Sequence, residues 1–300
     1  MFVITPRMTP SFSLSRIWTL ATATVTQLLR MKIMAFLLIF CVIVVAAGFA
    51  FPVMNPEQQL KLLKDVSFGA LQLFSIVIAV CATALLLPRD LEDRTLYTIL
   101  SKPVPRFEYL LGKLFGVLIL IGAGLLIMDI AFSGVLWLRQ SFVLTQSVSA
   151  LQQEGAATPE AIAQLNAFVG KQGLTWNLHL GVVAIFFKAA VITALTLMIS
   201  CFASSTLFTI VISFFVTIAG HGQGLIREYF FTGQGGVVKK VLSALLAVVT
   251  PDMAVFDIID NVINGELVTL AAFGMMAGIT ATYLVGYSVV SHLLFVEKEL

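Results

Sequence analysis

The stretch PRDLEDRTLYTILSKPVPRFEYLLGK, residues 88–113, decides how this chain is organised. Nine of its 26 residues are charged, whereas the sequences on both sides of it are long and apolar. Its apolar and small side chains recur at the spacing of an amphipathic helix: Leu91, Thr95, Leu96, Ile99 and Leu100. Pro103 and Pro105 end this predicted helix. The pattern predicts a short surface helix between two membrane spans.

The composition indicates an integral membrane protein. The chain has 300 residues, of which 59% are hydrophobic and 11% charged, and its mean hydropathy is +1.01. So little polar surface cannot cover a water-soluble globule of this size. The formal net charge of +2 is close to balance and does not suggest a nucleic-acid partner.

The apolar runs predict an all-α protein with six transmembrane helices. The predicted spans cover about residues 33–51, 66–87, 114–138, 178–200, 202–220 and 267–294. Two of them carry small residues at a spacing of four, which allows close helix packing. These residues are Gly112 and Gly116 at the third span, and Gly274, Gly278, Thr282 and Gly286 in the sixth.

The chain divides into an N-terminal segment, residues 1–31, and a transmembrane domain, residues 32–300. Residues 11–30 place their apolar side chains on one face, which predicts a helix lying along the membrane surface. Lys and Arg are concentrated before the first span and in the charged stretch. Since basic residues favour the cytoplasmic side, both termini and the charged stretch are expected there.

Catalytic and metal-binding motifs are missing from the sequence. It contains no phosphate-binding loop and no H-E-x-x-H motif, and its three cysteines lie apart in apolar runs. We therefore expect neither an enzyme nor a cofactor-binding protein, so that energy for any transport comes from a partner or a gradient.

Two ionisable residues fall inside predicted spans, Asp129 in the third and Lys188 in the fourth. A charge at the bilayer centre costs about 2.5 to 3.5 kcal/mol on insertion scales, so each needs a partner. Counted from the predicted outer ends of their spans, the two lie at similar depth. One interpretation is a pair, direct or through water, and the other is two residues that line a polar vestibule independently.

The charged stretch resembles a signature of one transporter family. The order is an acidic residue, Arg94-Thr95-Leu96, Leu100-Ser101-Lys102-Pro103-Val104, Arg106, and then Leu110-Leu111-Gly112-Lys113 entering a span. It is similar to that of permeases of ATP-binding-cassette (ABC) transporters of the type-2 exporter class, in the bacterial branch linked with multicopper-enzyme maturation. Arg94 stands where many members carry glycine, and Pro105 where serine or a similar residue is usual.

This resemblance implies a permease subunit that is driven by a separate cytoplasmic ATPase. The stretch would then be the coupling helix, which docks in a groove of the ATPase. It further implies a second permease copy or a related subunit, contact with lipids, and a place in the bacterial inner membrane. The implied coupling residues are Asp90, Leu91, Glu92, Asp93, Arg94, Thr95, Leu96, Tyr97, Ile99, Lys102, Pro103 and Arg106.

The expected docking helix has two faces. Asp90, Glu92, Asp93, Arg94 and Tyr97 would point toward the ATPase, whereas Leu91, Leu96 and Ile99 would point toward the membrane domain. Two alternatives remain open at this stage. One is a gradient-driven secondary transporter that uses Asp129 as a proton or ion site, and the other is a membrane scaffold or assembly protein that transports nothing.

Overall fold

A computed structural model describes residues 12–30, 39, 42–44, 46, 56–92, 104–203, 205–224 and 250–297. Three predictions fall largely or wholly outside these residues. They are the helix at 93–100, most of the first span, and the segment 237–249, whose apolar run is too short to cross a bilayer and predicts a re-entrant or interfacial segment. Throughout the described part the regular structure is helical, which confirms the predicted all-α class.

The helices follow one another in the order of the chain. They are α1 (Leu14–Arg30), α2 (Pro56–Glu92), α3 (Arg106–Gln153), α4 (Pro159–Gln172), α5 (Trp176–Phe202), α6 (Thr206–His221), α7 (Ile259–Ile263) and α8 (Leu270–Glu297). A short 3-10 helix, Met253–Phe256, precedes α7.

Within the described residues, four segments are long and apolar enough to cross a membrane. They are Gln58–Pro88, Arg106–Gln153, Pro159–Phe202, which contains α4 and α5, and Leu270–Val296. These four correspond to predicted spans two, three, four and six. The predicted fifth span corresponds to α6, which is apolar but has only 16 residues.

Several helices extend well beyond the predicted spans. Helix α2 includes most of the expected polar connection at 52–65 and continues through Pro88 to Glu92. Helix α3 continues past residue 138 to Gln153, where a turn with Gly155 at φ +66° leads into α4. Hydropathy marks where a helix meets lipid, whereas the backbone hydrogen bonds of a helix can continue into polar sequence. The polar segment at 139–177 is therefore mainly a helical hairpin.

Helix α5 forms the centre of the bundle. Its candidate span is 78% buried within the chain, against 22% for that of α8. It contacts α2, α3, α6 and α8. Most of its residues are apolar, so most of its surface can be covered by other helices.

Helix α6 carries its polar residues inside and its apolar residues outside. Thr209, Ser213 and Thr217 are buried, while Leu207 and Phe215 are 74% and 66% exposed. This is the reverse of a helix on a water-soluble protein. Small and hydroxylated residues pack against neighbours in lipid, where large apolar side chains can face the hydrocarbon. The arrangement supports a membrane environment.

Helix α1 packs closely against the glycines of α3. A Cβ added to Gly116 would lie 2.5 Å from Cβ of Thr24 and 2.9 Å from the carbonyl oxygen of Ala21, and one added to Gly112 would clash with Leu20. The predicted close approach at these glycines is confirmed. Its partner is α1, whose buried residues include Ala21 and Thr24.

The predicted packing stripe of the sixth span behaves differently. No described atom lies within 4 Å of a Cβ built on Gly274, Gly278 or Gly286. Helix α8 instead buries another face, which includes Met276 and Phe295. The expectation that this stripe packs closely is therefore not met within the described part of the chain.

We predict that Gly116→Leu destabilises the protein by about 1 to 3 kcal/mol, because the new side chain must displace α1. Gly134→Leu is the matched control on the same helix, since its Cβ would meet no atom within 4 Å. Thermal unfolding of both variants in detergent measures the difference. Equal stability of the two variants would contradict the close packing of α1 on α3.

Candidate functional site

The polar junction lies where the charged stretch meets the helices on both sides of it. We give this name to six side chains: Arg16, Gln27, Asp90, Glu108, Tyr109 and Lys113. Two belong to α1, one to the last turn of α2 and three to the first turns of α3. Because residues 93–103 connect α2 to α3, the polar junction holds both ends of that connection.

Asp90 is the centre of the polar junction. Its Oδ2 accepts a hydrogen bond from the Tyr109 hydroxyl at 2.5 Å and forms an ion pair with Lys113 Nζ at 2.6 Å. Gln27 closes a ring, because its Nε2 donates to Asp90 Oδ1 at 3.2 Å and its Oε1 accepts from Lys113 Nζ at 3.1 Å. Asp90, Tyr109 and Lys113 are each at most 5% exposed. Buried charges are stable only when paired and hydrogen-bonded, and the ring provides both conditions.

A second ion pair joins α1 to α3. Arg16 donates two hydrogen bonds to Glu108, from Nε to Oε2 at 2.6 Å and from Nη2 to Oε1 at 2.9 Å. The backbone N–H of Ser13 donates to the same Oε1 at 2.9 Å. The hydrogen bond to Glu108 raises the pKa of Arg16, which therefore remains charged. A forked contact of this kind fixes the orientation of the two helices as well as their proximity.

Arg106 connects the start of α3 to the end of α8. Its Nη1 donates to the carbonyl oxygens of Phe295 and Val296, at 3.3 and 2.9 Å. Carbonyls in the last turn of a helix have no partner within the helix and attract a cation. The Phe295 ring also stacks on Tyr109, with 6.0 Å between the ring centroids. The contacts of Arg106 and Phe295 therefore bring α8 into the same assembly.

The polar junction rests on an apolar cluster of its own. Tyr109 packs there with Leu87 of α2, Leu197 and Cys201 of α5, and Phe295 of α8. This packing explains why the end of α5 lies beside the charged stretch, although α5 contributes no side chain to the polar junction. Movement at residues 93–103 would thus reach α1, α2, α3, α5 and α8 through direct contacts.

The structure describes the side chains of two predicted coupling residues, Asp90 and Arg106. The backbones of Leu91 and Glu92 continue α2, and the other eight residues, Asp93, Arg94, Thr95, Leu96, Tyr97, Ile99, Lys102 and Pro103, lie outside the described part. The expected orientation of Asp90 is corrected. It is 3% exposed and points into the bundle, because it is the counter-ion of Lys113.

Asp129 and Lys188, the predicted intramembrane pair, do not contact each other. Asp129 Oδ2 lies 2.7 Å from Nδ1 of His179. Lys188 is 2% exposed, and its Nζ has no hydrogen-bond partner among the described residues. His179 precedes Lys188 by nine residues, about 14 Å of helix. The depth comparison failed because it took residue 138 as the outer end of the third span, whereas Asp129 lies beside the first turns of α5.

Sequence reasoning missed five of the six residues of the polar junction: Arg16, Gln27, Glu108, Tyr109 and Lys113. Part of the signal was present. Tyr109 and Lys113 are four residues apart and therefore share a face of α3. Arg16 and Gln27 are eleven residues apart, about three turns, and share a face of α1. Which helices these faces meet is a tertiary property that their spacing does not contain.

The polar junction joins helices to one another through its charged groups. Among the described residues, no group of three or more His, Cys, Asp or Glu side chains is placed to hold a metal ion. These charged groups form ion pairs with one another, and each pair joins two different helices.

We predict that Asp90→Asn and Lys113→Met each lower the free energy of unfolding by about 3 to 5 kcal/mol, because each leaves the other charge buried without a counter-ion. The double variant should cost clearly less than the sum of the two. Unfolding in detergent measures all three, with Lys171→Met, at an exposed position on α4, as the control. Additive losses would show that the ion pair is not what stabilises the polar junction.

Comparisons with known proteins do not assign a function to this chain. No family model matches the chain, and no curated protein is similar enough to count as a relative.

Proposed function

We propose that this chain is the permease subunit of an ATP-driven ABC exporter, coupled to a separate cytoplasmic ATPase. The observation that carries the proposal is the polar junction. It fixes both ends of the 93–103 connection to the bundle through ion pairs and hydrogen bonds, and the pair between Asp90 and Lys113 is buried. A connection held in this way can receive a push from a docked partner and pass it to the helices.

The proposed mechanism uses the contacts of the polar junction one after another. Closure of the ATPase subunits on ATP displaces the docked connection. The ion pair between Asp90 and Lys113 moves the end of α2 together with the start of α3. The ion pair between Glu108 and Arg16 moves α1 together with α3. The hydrogen bonds from Arg106 move the end of α8 in the same way. The membrane helices are thereby shifted as a group, and substrate passes along the interface with a second permease subunit.

The proposal includes a finer topology. Six spans are made by α2, α3, α5, α6, α8 and an N-terminal span at 33–51, with both termini and the 93–103 connection in the cytoplasm. The second copy of the permease and the bacterial inner membrane belong to the same proposal. Support comes from the four long apolar helices and from the reversed polarity of α6.

Purification of the tagged protein from its native membranes tests the proposal most directly. We expect a subunit with a phosphate-binding loop to co-purify in detergent, and ATP hydrolysis by the complex to respond to the permease. Recovery of the permease without any such subunit, while the polar junction is intact, would count decisively against this function.

We predict that the double substitution Leu96→Asp and Ile99→Asp uncouples ATP hydrolysis from transport without preventing membrane insertion. Charges on the apolar stripe would remove the helix from its seat on the membrane domain. The control adds the same two charges at the other end of α3, by Gln152→Asp and Gln153→Asp, where both side chains are exposed. Full transport by the first variant would mean that the charged stretch acts only as a topology signal.

A second candidate is a gradient-driven transporter, which the contact between Asp129 and His179 favours. This pair lies in the candidate spans, and a carboxylate beside an imidazole can take up and release a proton. Asp129→Asn would then abolish transport, and collapse of the proton gradient would do the same while ATP is present. Transport that continues without a gradient but stops without ATP would exclude this candidate.

A further inference from the structure

Residues 250–266 form a strap over the end of the bundle that lies far from the polar junction. The strap consists of the 3-10 helix Met253–Phe256, helix α7 and the turns beside them. It contacts α2 at Lys64, which is 26 residues, or about 39 Å of helix, from Asp90. The strap covers apolar surface of the bundle with side chains that are at most 8% exposed: Met253, Phe256, Ile259, Val262 and Ile263.

Both ends of the strap are fastened to other parts of the chain. At its start, Nε2 of Gln223 donates to Oγ1 of Thr250 at 2.7 Å. Just after its end, the backbone N–H of Val268 donates to Oδ1 of Asn177 at 3.1 Å. Gly265, with φ +84°, makes the turn between α7 and this second attachment. Helix α7 therefore lies between two fixed points.

Lys64 holds α7 between these two points. Its Nζ donates to the carbonyl oxygen of Ile263, the last residue of α7, at 2.6 Å. It also donates to Oε1 of Gln172, the last residue of α4, at 2.9 Å. Carbonyls in the last turn of a helix have no partner within the helix and attract a cation. One ammonium thus joins α2, α4 and the strap.

The ammonium of Lys64 is buried without a carboxylate. Lys64 is 1% exposed, and it forms no ion pair within 4.0 Å with a described residue. The buried ammonium of Lys113 is instead paired with Asp90. Separating a buried ion pair leaves a charge uncompensated, whereas the oxygens of water can replace neutral carbonyl and amide oxygens. The contacts of Lys64 therefore open at a lower cost than those of Lys113.

A cleft of about 440 Å³ follows the seam between α2 and the strap. Lys61 and Asp65 line it on α2, and Asp257, Asp260 and Ile263 line it on the strap. The four charged residues are exposed, and among the described residues no ion pair within 4.0 Å crosses the cleft. Because Ile263 is the residue that accepts from the buried ammonium, this contact lies at the edge of a water-filled space.

We propose that the strap is a closure, which opens by releasing Lys64 from Ile263 and Gln172 while the polar junction stays intact. Opening lifts Val262 from Gly181, where an added Cβ would lie 3.4 Å from Cγ1 of Val262. Water then reaches the bundle between α2 and α5. The closure is local and requires neither ATP nor a partner, so it stands apart from the proposed ATPase coupling.

Cysteine labelling of the full-length protein in detergent measures this opening. Val262→Cys places a thiol on the buried face of the strap, where Val262 is 1% exposed. Cys41 and Cys81 are replaced by alanine, and Cys201, 1% exposed beside Tyr109, reports on the polar junction. A sulfonated maleimide reacts with a buried thiol only while its surroundings are open, so the labelling rate follows the open population. Mass spectrometry of peptides separates the two thiols.

We expect the thiol in the strap to react faster than Cys201, and Lys64→Met to raise its rate at least about ten-fold, because the hydrogen bonds of a charged donor are lost. The rate at Cys201 should not change. Lys61→Met, which removes an exposed ammonium three residues away on α2, is the control and should change neither rate.

Three results would overturn the proposal. Equal rates of the two thiols while Lys64 is present would mean that the strap does not open by itself. An unchanged rate at the strap in Lys64→Met would mean that Lys64 does not hold it closed. Faster labelling of both thiols in Lys64→Met would show that Lys64 stabilises the whole fold rather than a local closure.

Discussion

The buried ion pair between Asp90 and Lys113 is the constraint on which the rest of the structure depends. Apolar side chains of similar volume could fill the same space with no desolvation cost, so stability alone does not explain the pair. Apolar surfaces tolerate sliding, however, whereas a carboxylate and an ammonium at 2.6 Å match at one relative position only. The pair therefore sets the register of α2 against α3, and Gln27 adds α1 to that register.

The packing of the helices around this ion pair and their polar contacts depend on each other. Glycines let α1 approach α3 closely, and the same approach brings Arg16 to Glu108 and Gln27 to Asp90. Close packing and buried polar contacts are thus two parts of one arrangement. In lipid, where apolar contact between helices provides little driving force, such an arrangement is what makes the association specific.

Membrane class, helical structure and the close approach at Gly112 and Gly116 could be predicted, because hydropathy and the spacing of small residues are local properties. The orientation of Asp90 could not, since charge density alone suggests an exposed residue and the counter-ion lies 23 residues away. A direct contact between Asp129 and Lys188 was expected and is not observed, for a related reason. The prediction measured the depth of Asp129 from residue 138, where hydropathy falls although α3 continues to Gln153. It did not consider His179 as a partner.

Helix α3 has 48 residues, which makes it about 72 Å long. It begins within the polar junction and ends in the hairpin with α4, well past the thickness of a bilayer, about 30 Å of hydrocarbon. A single rod of this length amplifies rotation, since a tilt of about 5° at its start moves its far end by about 6 Å. An adjustment too small to break any contact at Asp90 would therefore be a large displacement at the far end of α3, where it meets α4.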